Sequence, residues 1–304
     1  MNYVLKRLSY SLLAIGGAVT LVFFILYWLP GDPAELVAGQ EASASTVERV
    51  RLQLGTNRPI GQQFVAYLAG LAHGDLGRSF TTKEPVLDRL LAQLSATLGL
   101  TLGATLVMVL GGLTLGVTSA VYHRRWVDHL IAGLTLGLTS TPPFWLGILL
   151  ILTFSVVLHW LPSIGNGSLA QLVLPATSLG LVASGSLARM IRGAILDVRR
   201  EPFVLTLRAK GLTGRAILLG HVLRNALIPA VTLVGILFGE LLAGVAVAET
   251  LFARQGLGRL VVEAIGQKDI PMIQGAILFA SVFYVIINLL VDLSYARIDP
   301  RLRG

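Results

Sequence analysis

The sequence predicts an all-α polytopic membrane protein with six transmembrane helices, and three observations support this. Only 13% of the 304 residues are charged, where soluble proteins carry about a quarter, and 54% are hydrophobic. Several long stretches contain no Lys, Arg, Asp or Glu. The basic residues concentrate in alternate connections between these stretches. This composition argues against a soluble enzyme, and the absence of cysteine removes disulfides, thiolate metal sites and cysteine nucleophiles.

The charge-free stretches predict where each span lies. Between Arg7 and Asp32 there are 24 residues without a charged side chain, enough to cross a hydrocarbon core of roughly 30 Å. We interpret this stretch as an uncleaved first span, because it is longer than the apolar part of a signal peptide and no cleavage site follows it. The predicted spans are 8–29, 96–121, 129–157, 173–192, 229–248 and 271–292.

Basic residues predict the orientation. With a cytoplasmic N-terminus, the inside segments carry 15 Lys and Arg against 5 Asp and Glu, and the outside segments carry 9 against 11. Both termini, the loop 193–228 and the tail 293–304 are then cytoplasmic, whereas segments 30–95 and 249–270 are extracytoplasmic. This topology accounts for the net charge of +8, so a nucleic-acid partner is not needed and lipid is the expected surroundings.

Glycine and proline patterns predict how the spans pack and bend. The pentapeptide Gly-Leu-Thr-Leu-Gly occurs at 99–103, 112–116 and 133–137, and Gly235 and Gly239 repeat its spacing. Such spacing favours close helix contacts, although glycine is common in membrane helices in any case. Pro142 and Pro143, and also Pro175, predict bends because proline removes a backbone donor.

The outer segment 30–95 is predicted to form short helices, with Val47, Val50 and Leu54 at helical spacing. The motif at 74–79, Gly-Asp-Leu-Gly-Arg-Ser, reads as a turn with a contact between Asp75 and Arg78. Docking of an external partner on this segment is a weaker alternative.

The cytoplasmic segment before the fifth span predicts a helical hairpin. Eight Lys and Arg lie between Arg189 and Arg224, and Gly211 interrupts the pattern. Pro202 suits the first helical position after Glu201, and Thr213 suits the cap of a second helix. The expected apolar faces are Leu205, Ala209 and Leu212 on the first helix and Ile217, Leu218, His221 and Leu227 on the second. A basic surface helix on anionic lipid heads is an equal alternative from composition alone.

Glu240 is a single acidic residue within the predicted fifth span. An acid at this depth is costly and faces a cavity or a partner. Three interpretations are open: it lines a translocation path, where it meets an amine or a metal ion; it hydrogen-bonds a neighbouring helix; or it lies high enough in the span to reach outer water.

Five short motifs resemble, in order, the landmarks of one family of ABC-importer permeases, the dipeptide, oligopeptide and nickel uptake family. They lie at 30–33 (Pro-Gly-Asp-Pro), 74–79, 208–212 with 223–229 (Arg-Ala-Lys-Gly-Leu and Leu-Arg-Asn-Ala-Leu-Ile-Pro), 249–258 (Glu-Thr-Leu-Phe with Gly-Leu-Gly) and 299–303 (Asp-Pro-Arg-Leu-Arg). The likeness spans nearly the whole chain and is most similar to the first of the family's two permease subunits.

The resemblance implies a type I ABC importer permease fold in a bacterial cytoplasmic (inner) membrane. It implies four kinds of partner: a second permease subunit, two ATPase subunits, an extracytoplasmic solute-binding protein and membrane lipid. ATP and Mg would act on the ATPases, with no cofactor bound by this chain. By this likeness the coupling residues that enter the ATPase groove are Thr206, Arg208, Ala209, Lys210, Gly211 and Leu212.

The sequence departs from the broader permease pattern at one point. That pattern begins Glu-Ala-Ala six residues before the glycine, and here Leu205, Thr206 and Leu207 stand in its place. The usual carboxylate contact is therefore absent, and we expect Arg208 or Lys210 to serve as the polar partner instead.

Motifs for catalysis are missing from the sequence. It has no G-x-x-x-x-G-K-[ST] loop for phosphates and no H-E-x-x-H, so neither ATP hydrolysis by that route nor a metal site is expected in this chain. The expected function is a non-catalytic permease subunit that passes peptides, or a related solute such as a nickel chelate, into the cytoplasm. The alternative is a secondary transporter driven by an ion gradient, which predicts inverted repeats and several intramembrane acids. A membrane-embedded enzyme lacks any recognisable catalytic constellation.

Overall fold

The computed structural model describes residues 2–28, 32–39 and 42–298, and within these ranges the chain is helical apart from turns and one antiparallel bridge between Arg78 and Pro85. Pro30, Gly31 and the terminal motif at 299–303 lie outside the described residues. The helices are α1 (Asn2–Tyr27), α2 (Pro33–Ala38), α3 (Ala44–Leu54), α4 (Ile60–Ala72), α5 (Val86–Val121), α6 (Trp126–Ser140), α7 (Pro143–Leu150), α8 (Ala170–Val198), α9 (Pro202–Ala209), α10 (Gly214–Ile217), α11 (Leu223–Ala226), α12 (Ile228–Leu251), α13 (Leu257–Gly266) and α14 (Ile270–Ile298). Two π-helical stretches follow α7 and α10, at Ile151–Val157 and Leu218–Val222.

Four helices are long and apolar enough to cross a membrane: Ser9–Tyr27 of α1, and all of α5, α8 and α12. A fifth span forms if α6 and the helix Pro143–Val157 act together, and α14 adds a shorter apolar stretch at Ile270–Ile286. The fold is therefore an all-α membrane fold, and the count of six spans stays a prediction. Helix α5 begins at Val86, before the predicted membrane entry at residue 96.

The bend predicted at Pro142 and Pro143 is confirmed. Helix α6 ends at Ser140 and α7 begins at Pro143, with an angle of 104° between the two axes. Proline cannot donate to the preceding turn, so the helix stops and restarts in a new direction. Pro175, by contrast, lies inside α8, which continues to Val198.

The chain divides into two compact units, and the first comprises residues 1–95 and 256–286. Its core is small and contains Val86, Leu90, Leu260, Ala264, Met272, Ile273 and Ala276. Rings from α1 and α4 also meet here, because Phe23 packs against Phe64 and stacks on Tyr67 at 5.6 Å between centroids. The short helices predicted in segment 30–95 are present as α2, α3 and α4.

Two acidic residues, the half-buried Asp32 and the buried Asp269, hold turns of this unit through hydrogen bonds. Asp32 caps α2 by accepting from the Ala34 amide at 2.8 Å, and its ion pair with Arg51 holds the pKa of that carboxyl below its usual range. Burial raises the pKa of Asp269, but hydrogen bonds from Ser79, Phe80 and Thr81 outweigh burial and leave the pKa low.

The turn at 74–79 forms, but not with the predicted contact between Asp75 and Arg78. The Asp75 Oδ1 atom accepts from the Gly77 amide at 2.8 Å, whereas Arg78 Nη1 donates to the Lys83 carbonyl at 3.1 Å. Both Gly74 and Gly77 adopt positive φ, at 76° and 79°, which glycine tolerates, and within this turn the two side chains bond different backbone groups.

The second unit comprises residues 96–255 and 287–304, and its core is built around α8. Helices α5 and α8 approach closely at glycine positions. The spacing of the Gly-Leu-Thr-Leu-Gly repeats predicts such contacts. A Cβ added at Gly112 would lie 2.7 Å from the Leu187 side chain, and one at Gly180 would lie 2.4 Å from the Ala104 carbonyl. Gly99 and both glycines of the repeat at 133–137 face open space, so only part of the repeat pattern serves packing.

Candidate coupling and translocation site

The hairpin predicted before the fifth span is present, and local signals set its ends. Helix α9 starts at Pro202 after Glu201, whose backbone is extended, and it ends at Ala209. Gly211 then adopts φ +84°, a conformation that other residues rarely tolerate. Thr213 caps the next helix, with its Oγ1 atom accepting from the Ala216 amide at 3.3 Å. The predicted caps and the break at Gly211 are therefore confirmed.

The apolar faces of the hairpin differ from the prediction. Helix α9 packs through Val204, which is buried, and Leu207, which is partly buried, while Leu205 is 71% exposed. On the second arm Ile217 is buried as predicted, but His221 is exposed and Val222 is buried instead. The predicted face of Leu205 and Ala209 was wrong because tertiary packing selected the stripe one residue away.

Most of the residues that the resemblance assigns to the ATPase groove are exposed to solvent. Leu212 is half-buried, and the other five are exposed: Thr206, Arg208, Ala209, Lys210 and Gly211. They form, with Leu205, the free surface of the hairpin, which we call the hairpin tip. The buried face anchors the hairpin to the core of the second unit, and the hairpin tip remains available for contact.

A buried carboxylate in the first turn of α6 joins the loop after α5 to the last turns of α8. Asp128 is 4% exposed and pairs with Arg192 through two parallel hydrogen bonds, Nε to Oδ1 at 2.7 Å and Nη2 to Oδ2 at 2.8 Å. It also accepts from Ser119 Oγ at 2.5 Å and from the Arg124 amide at 2.9 Å, while His123 Nδ1 lies 3.2 Å away. We call these five residues the Asp128 cluster.

Two further arginines fasten α8 to its neighbours. Arg199 Nη1 donates to the Ala120 carbonyl at 3.1 Å. Arg189 Nη1 donates to Thr139 Oγ1 at 2.8 Å and to the Thr135 carbonyl at 3.2 Å. Sequence reasoning did not single out Asp128 or these arginines. Two features of the sequence could have indicated these contacts. Asp128 follows the basic pair at Arg124 and Arg125, and the three arginines lie near the C-terminal end of a single span.

Glu240 borders a cavity of about 270 Å³ between α8, α12 and the α6–α7 bend. The side chain is exposed rather than buried in a helix contact. Thr139 and Ser186 supply hydroxyls to the same cavity, and Leu179, Val182 and Leu237 supply apolar walls. The geometry places this acid at the wall of a cavity, and its role in a translocation path stays a prediction.

The landmark at 249–258 organises the C-terminal end of α12. Glu249 is fully buried and accepts from Thr97 Oγ1 at 2.5 Å. Arg254 donates through its backbone amide to the Glu249 carbonyl at 2.8 Å and through Nη1 to the carbonyls of Gly165 and Gln171 at 3.0 and 3.2 Å. These bonds tie the connection before α8 to the end of α12.

Apolar spans, a bent helix pair, a membrane cavity with one acid and an exposed basic hairpin together define a polytopic membrane subunit of a transport system. Comparison with known families agrees. Residues 112–304 match the family described as "Binding-protein-dependent transport system inner membrane component", and residues 1–101 match "Binding-prot-dependent transport system membrane comp, N-term".

Relatives match over the full length. The glutathione transport system permease protein GsiC of Escherichia coli O6:H1 is 42% identical over 303 residues, covering 100% of this chain and 99% of the relative. GsiC of Salmonella paratyphi A is also 42% identical, over 305 residues with the same coverage.

Solved structures support the fold. An inward-facing MetNI methionine ABC transporter aligns with TM-score 0.59 and 21% identity over 70% of this chain and 97% of that chain. An amino acid ABC transporter aligns with TM-score 0.53 and 18% identity over 69% of this chain and 94% of that chain.

The chain belongs to the family of binding-protein-dependent transport system inner membrane components, and is a first-type permease subunit of an ABC importer of the dipeptide and oligopeptide class. It is thus a multi-pass inner-membrane protein and a non-catalytic component, because ATP hydrolysis in this family lies in separate subunits. The ion-gradient transporter alternative is excluded by this membership.

Proposed function

We propose that this subunit passes glutathione or a similar small peptide from an extracytoplasmic binding protein into the cytoplasm. The proposal is supported by relatives that share 41–42% identity over essentially their whole length and carry the name glutathione transport system permease. Dipeptides, longer peptides and nickel chelates are related cargoes that the sequence leaves open, and the same experiment compares them.

The importer would contain this chain, a second homologous permease subunit, two ATPase subunits and the binding protein. ATP and Mg would act on the ATPases. The excess of basic residues in segments 193–228 and 293–304 favours both termini on the cytoplasmic side, where the ATPases are.

The hairpin tip would be the contact that transmits ATPase closure to the spans. Its first arm is anchored by the buried Val204 and its second by the buried Ile217, so a force on the tip reaches the core of the second unit. Arg208 and Lys210 are exposed and carry positive charge at the tip. They can pair with acidic groups of an ATPase surface, in place of the carboxylate of the broader pattern. The competing interpretation, in which the hairpin lies on anionic lipid heads, predicts that loss of these charges affects lipid binding and not coupling.

Glu240 would border the translocation path. It is an exposed acid within an apolar span, and it faces a cavity rather than a helix contact. An acid in such a position provides favourable binding to a passing cationic group.

Co-purification and reconstitution test this proposal. The tagged chain is solubilised from its native membrane, and we expect two P-loop ATPases and a second permease subunit to be recovered with it. In proteoliposomes that contain this complex and the binding protein, we expect uptake of glutathione with ATP and no uptake with ADP. A nickel chelate and a dipeptide serve as competing cargoes. Uptake that follows a proton gradient without nucleotide, from a complex free of ATPases, would contradict the proposed function.

A further inference from the structure

The cavity beside Glu240 continues into a second one toward the far end of α12. The second cavity has a volume of about 200 Å³ and shares Pro143, Leu179 and Gly244 with the first. Its other walls include Phe144, Val247 and Leu251, which are apolar. The two cavities are therefore adjacent, and we call them together the Glu240 groove, with a polar section beside Glu240 and an apolar section beside Phe144.

Glu240 is an uncompensated charge in the polar section. Across the described ranges no ion pair involves its carboxylate, and the polar side chains that line the same section are the hydroxyls of Thr139 and Ser186. A carboxylate in low-dielectric surroundings gains most from a cation with several hydrogen-bond donors. An ammonium group meets that requirement.

Arg189 lies on α8 three residues beyond the last residue that lines the polar section, at the end away from the second cavity. Val182 and Ser186 line the groove, and Arg189 follows at positions i+7 and i+3, so it continues the same face of α8. Its Nη1 atom donates to Thr139 Oγ1 at 2.8 Å, and Thr139 is itself a lining residue. The guanidinium is exposed, and its bonds within the described chain use Nη1, so other N–H groups remain for an anion.

The spacing suits a short peptide. From Val182, the first α8 residue that lines only the polar section, to Arg189 the helix rises about 10 Å at about 1.5 Å per residue. An extended tripeptide spans about 10 Å. A molecule of that length, lying along the α8 face from Val182 to Arg189, can reach both the section that Glu240 lines and the Arg189 guanidinium beyond its end.

We propose that the Glu240 groove is a binding site for small zwitterionic peptides within the membrane subunit, with the substrate ammonium at Glu240, the substrate carboxylate at Arg189 and an apolar side chain in the section beside Phe144. The proposal rests on the proposed function and deepens it, because it places charge recognition in this subunit as well as in the binding protein. Arg189 then acts as a specificity-determining residue that sequence patterns alone do not identify.

Direct binding to the membrane complex tests the site without the selectivity of the binding protein. The complete complex of permeases and ATPases is placed in nanodiscs, and saturation-transfer NMR measures binding of triglycine, N-acetyltriglycine and triglycine amide. We expect triglycine to bind about tenfold more tightly than either blocked peptide, which corresponds to about 1.4 kcal/mol for each end group.

Two variants assign the two ends. With Glu240→Gln we expect triglycine to fall to the affinity of N-acetyltriglycine, while the preference for a free carboxylate remains. With Arg189→Gln we expect triglycine to fall to the affinity of the amide, while the preference for a free ammonium remains. Retention of the other preference shows that the groove is still folded. Arg189→Lys should restore part of the carboxylate preference.

Arg199→Gln is the matched control, because Arg199 also donates from α8 to a neighbouring carbonyl but does not line the groove. We expect it to bind all three peptides as the unaltered protein does. Equal binding of the three peptides, no binding of triglycine at millimolar concentration, or unchanged preferences in both variants would overturn the proposal. These outcomes leave the proposed function standing as long as the ATPases co-purify and ATP drives uptake. Loss of the ATPases from the complex contradicts the proposed function instead.

Discussion

The α5–α8 interface and the hairpin tip use the same kinds of residue for opposite purposes. At the interface, Gly112 and Gly180 leave no room for a side chain, because an added Cβ would meet neighbouring atoms at 2.7 and 2.4 Å. At the tip, Gly211 faces open space and is needed only for its φ of +84°. The interface therefore holds the subunit together, and the tip is free to act on something outside it.

The charged residues packed around α8 differ from those of the hairpin tip in the same way. Arg192 is committed to a bidentate pair with buried Asp128, whereas Arg208 and Lys210 are exposed. Substitutions at the interface should consequently change stability first, and substitutions at the tip should change coupling at nearly constant stability. The predictions below are ordered by their expected effect on the free energy of unfolding.

Gly180→Leu should have the largest effect. The new side chain would collide with the Ala104 carbonyl and the Val107 side chain, and a backbone atom cannot move aside as a side chain can. We expect a destabilisation of about 3 kcal/mol or more. Thermal unfolding of the purified protein in detergent measures it. Gly137→Leu is the control, because nothing lies within 4 Å of an added Cβ there. Equal melting temperatures for the two variants would contradict the close α5–α8 contact.

Asp128→Ala should have the next largest effect. It leaves the Arg192 guanidinium, which is 31% exposed, without its carboxylate, and it also removes the acceptor of Ser119 and of the Arg124 amide. Since the arginine keeps some access to water, we expect about 2–4 kcal/mol rather than the full cost of a sealed ion pair.

The control for this cluster is Arg125→Ala in the same loop. Asp128→Ala should lower the melting temperature by several degrees more than Arg125→Ala does. A double variant, Asp128→Ala with Arg192→Met, should recover part of the loss, because the uncompensated charge is gone. No recovery would show that the ion pair is not the source of the stability.

The comparison also shows which parts of the molecule local sequence can predict. The hairpin ends at the predicted points because Pro202, Gly211 and Thr213 act on their own turns, within four residues. The bend at Pro142 and Pro143 has the same local origin.

Long-range pairs were missed because helical periodicity fixes a face but not its neighbour. Arg192 and Asp128 are 64 residues apart in sequence, and Arg189 and Thr139 are 50 apart. The wrong face of α9 has a similar cause: Leu205 and Val204 are equally apolar in sequence, and only the packing of the second unit selects Val204. Half of the candidate site, the hairpin, was therefore predictable, whereas the role of Arg189 was not.

Gly211→Val should destabilise the protein only modestly but uncouple it. A β-branched residue at φ +84° costs about 1–2 kcal/mol locally, and the turn must reorganise to relieve it. The two arms of the hairpin then change direction relative to each other. We expect ATP hydrolysis by the reconstituted complex to continue while glutathione uptake falls at least tenfold. Gly214→Ala, at an open position without positive φ, should leave both rates unchanged. Normal uptake by Gly211→Val would remove the geometric basis of the coupling assignment.

Lys210→Glu should have almost no effect on stability, because the side chain is exposed and ends α9 without a packing contact in the core. Its effect should appear in coupling, since a reversed charge would repel an acidic ATPase surface.

Lys210→Glu and Lys210→Gln are compared for the ratio of glutathione transported to ATP hydrolysed, in vesicles with and without anionic lipid. Contact with an ATPase predicts that the ratio falls in both kinds of vesicle, and falls further for Glu than for Gln. Contact with lipid heads predicts a loss only where anionic lipid is present, because the lysine would then have no partner in neutral vesicles. A loss restricted to anionic vesicles would therefore assign the hairpin tip to the membrane surface and not to an ATPase.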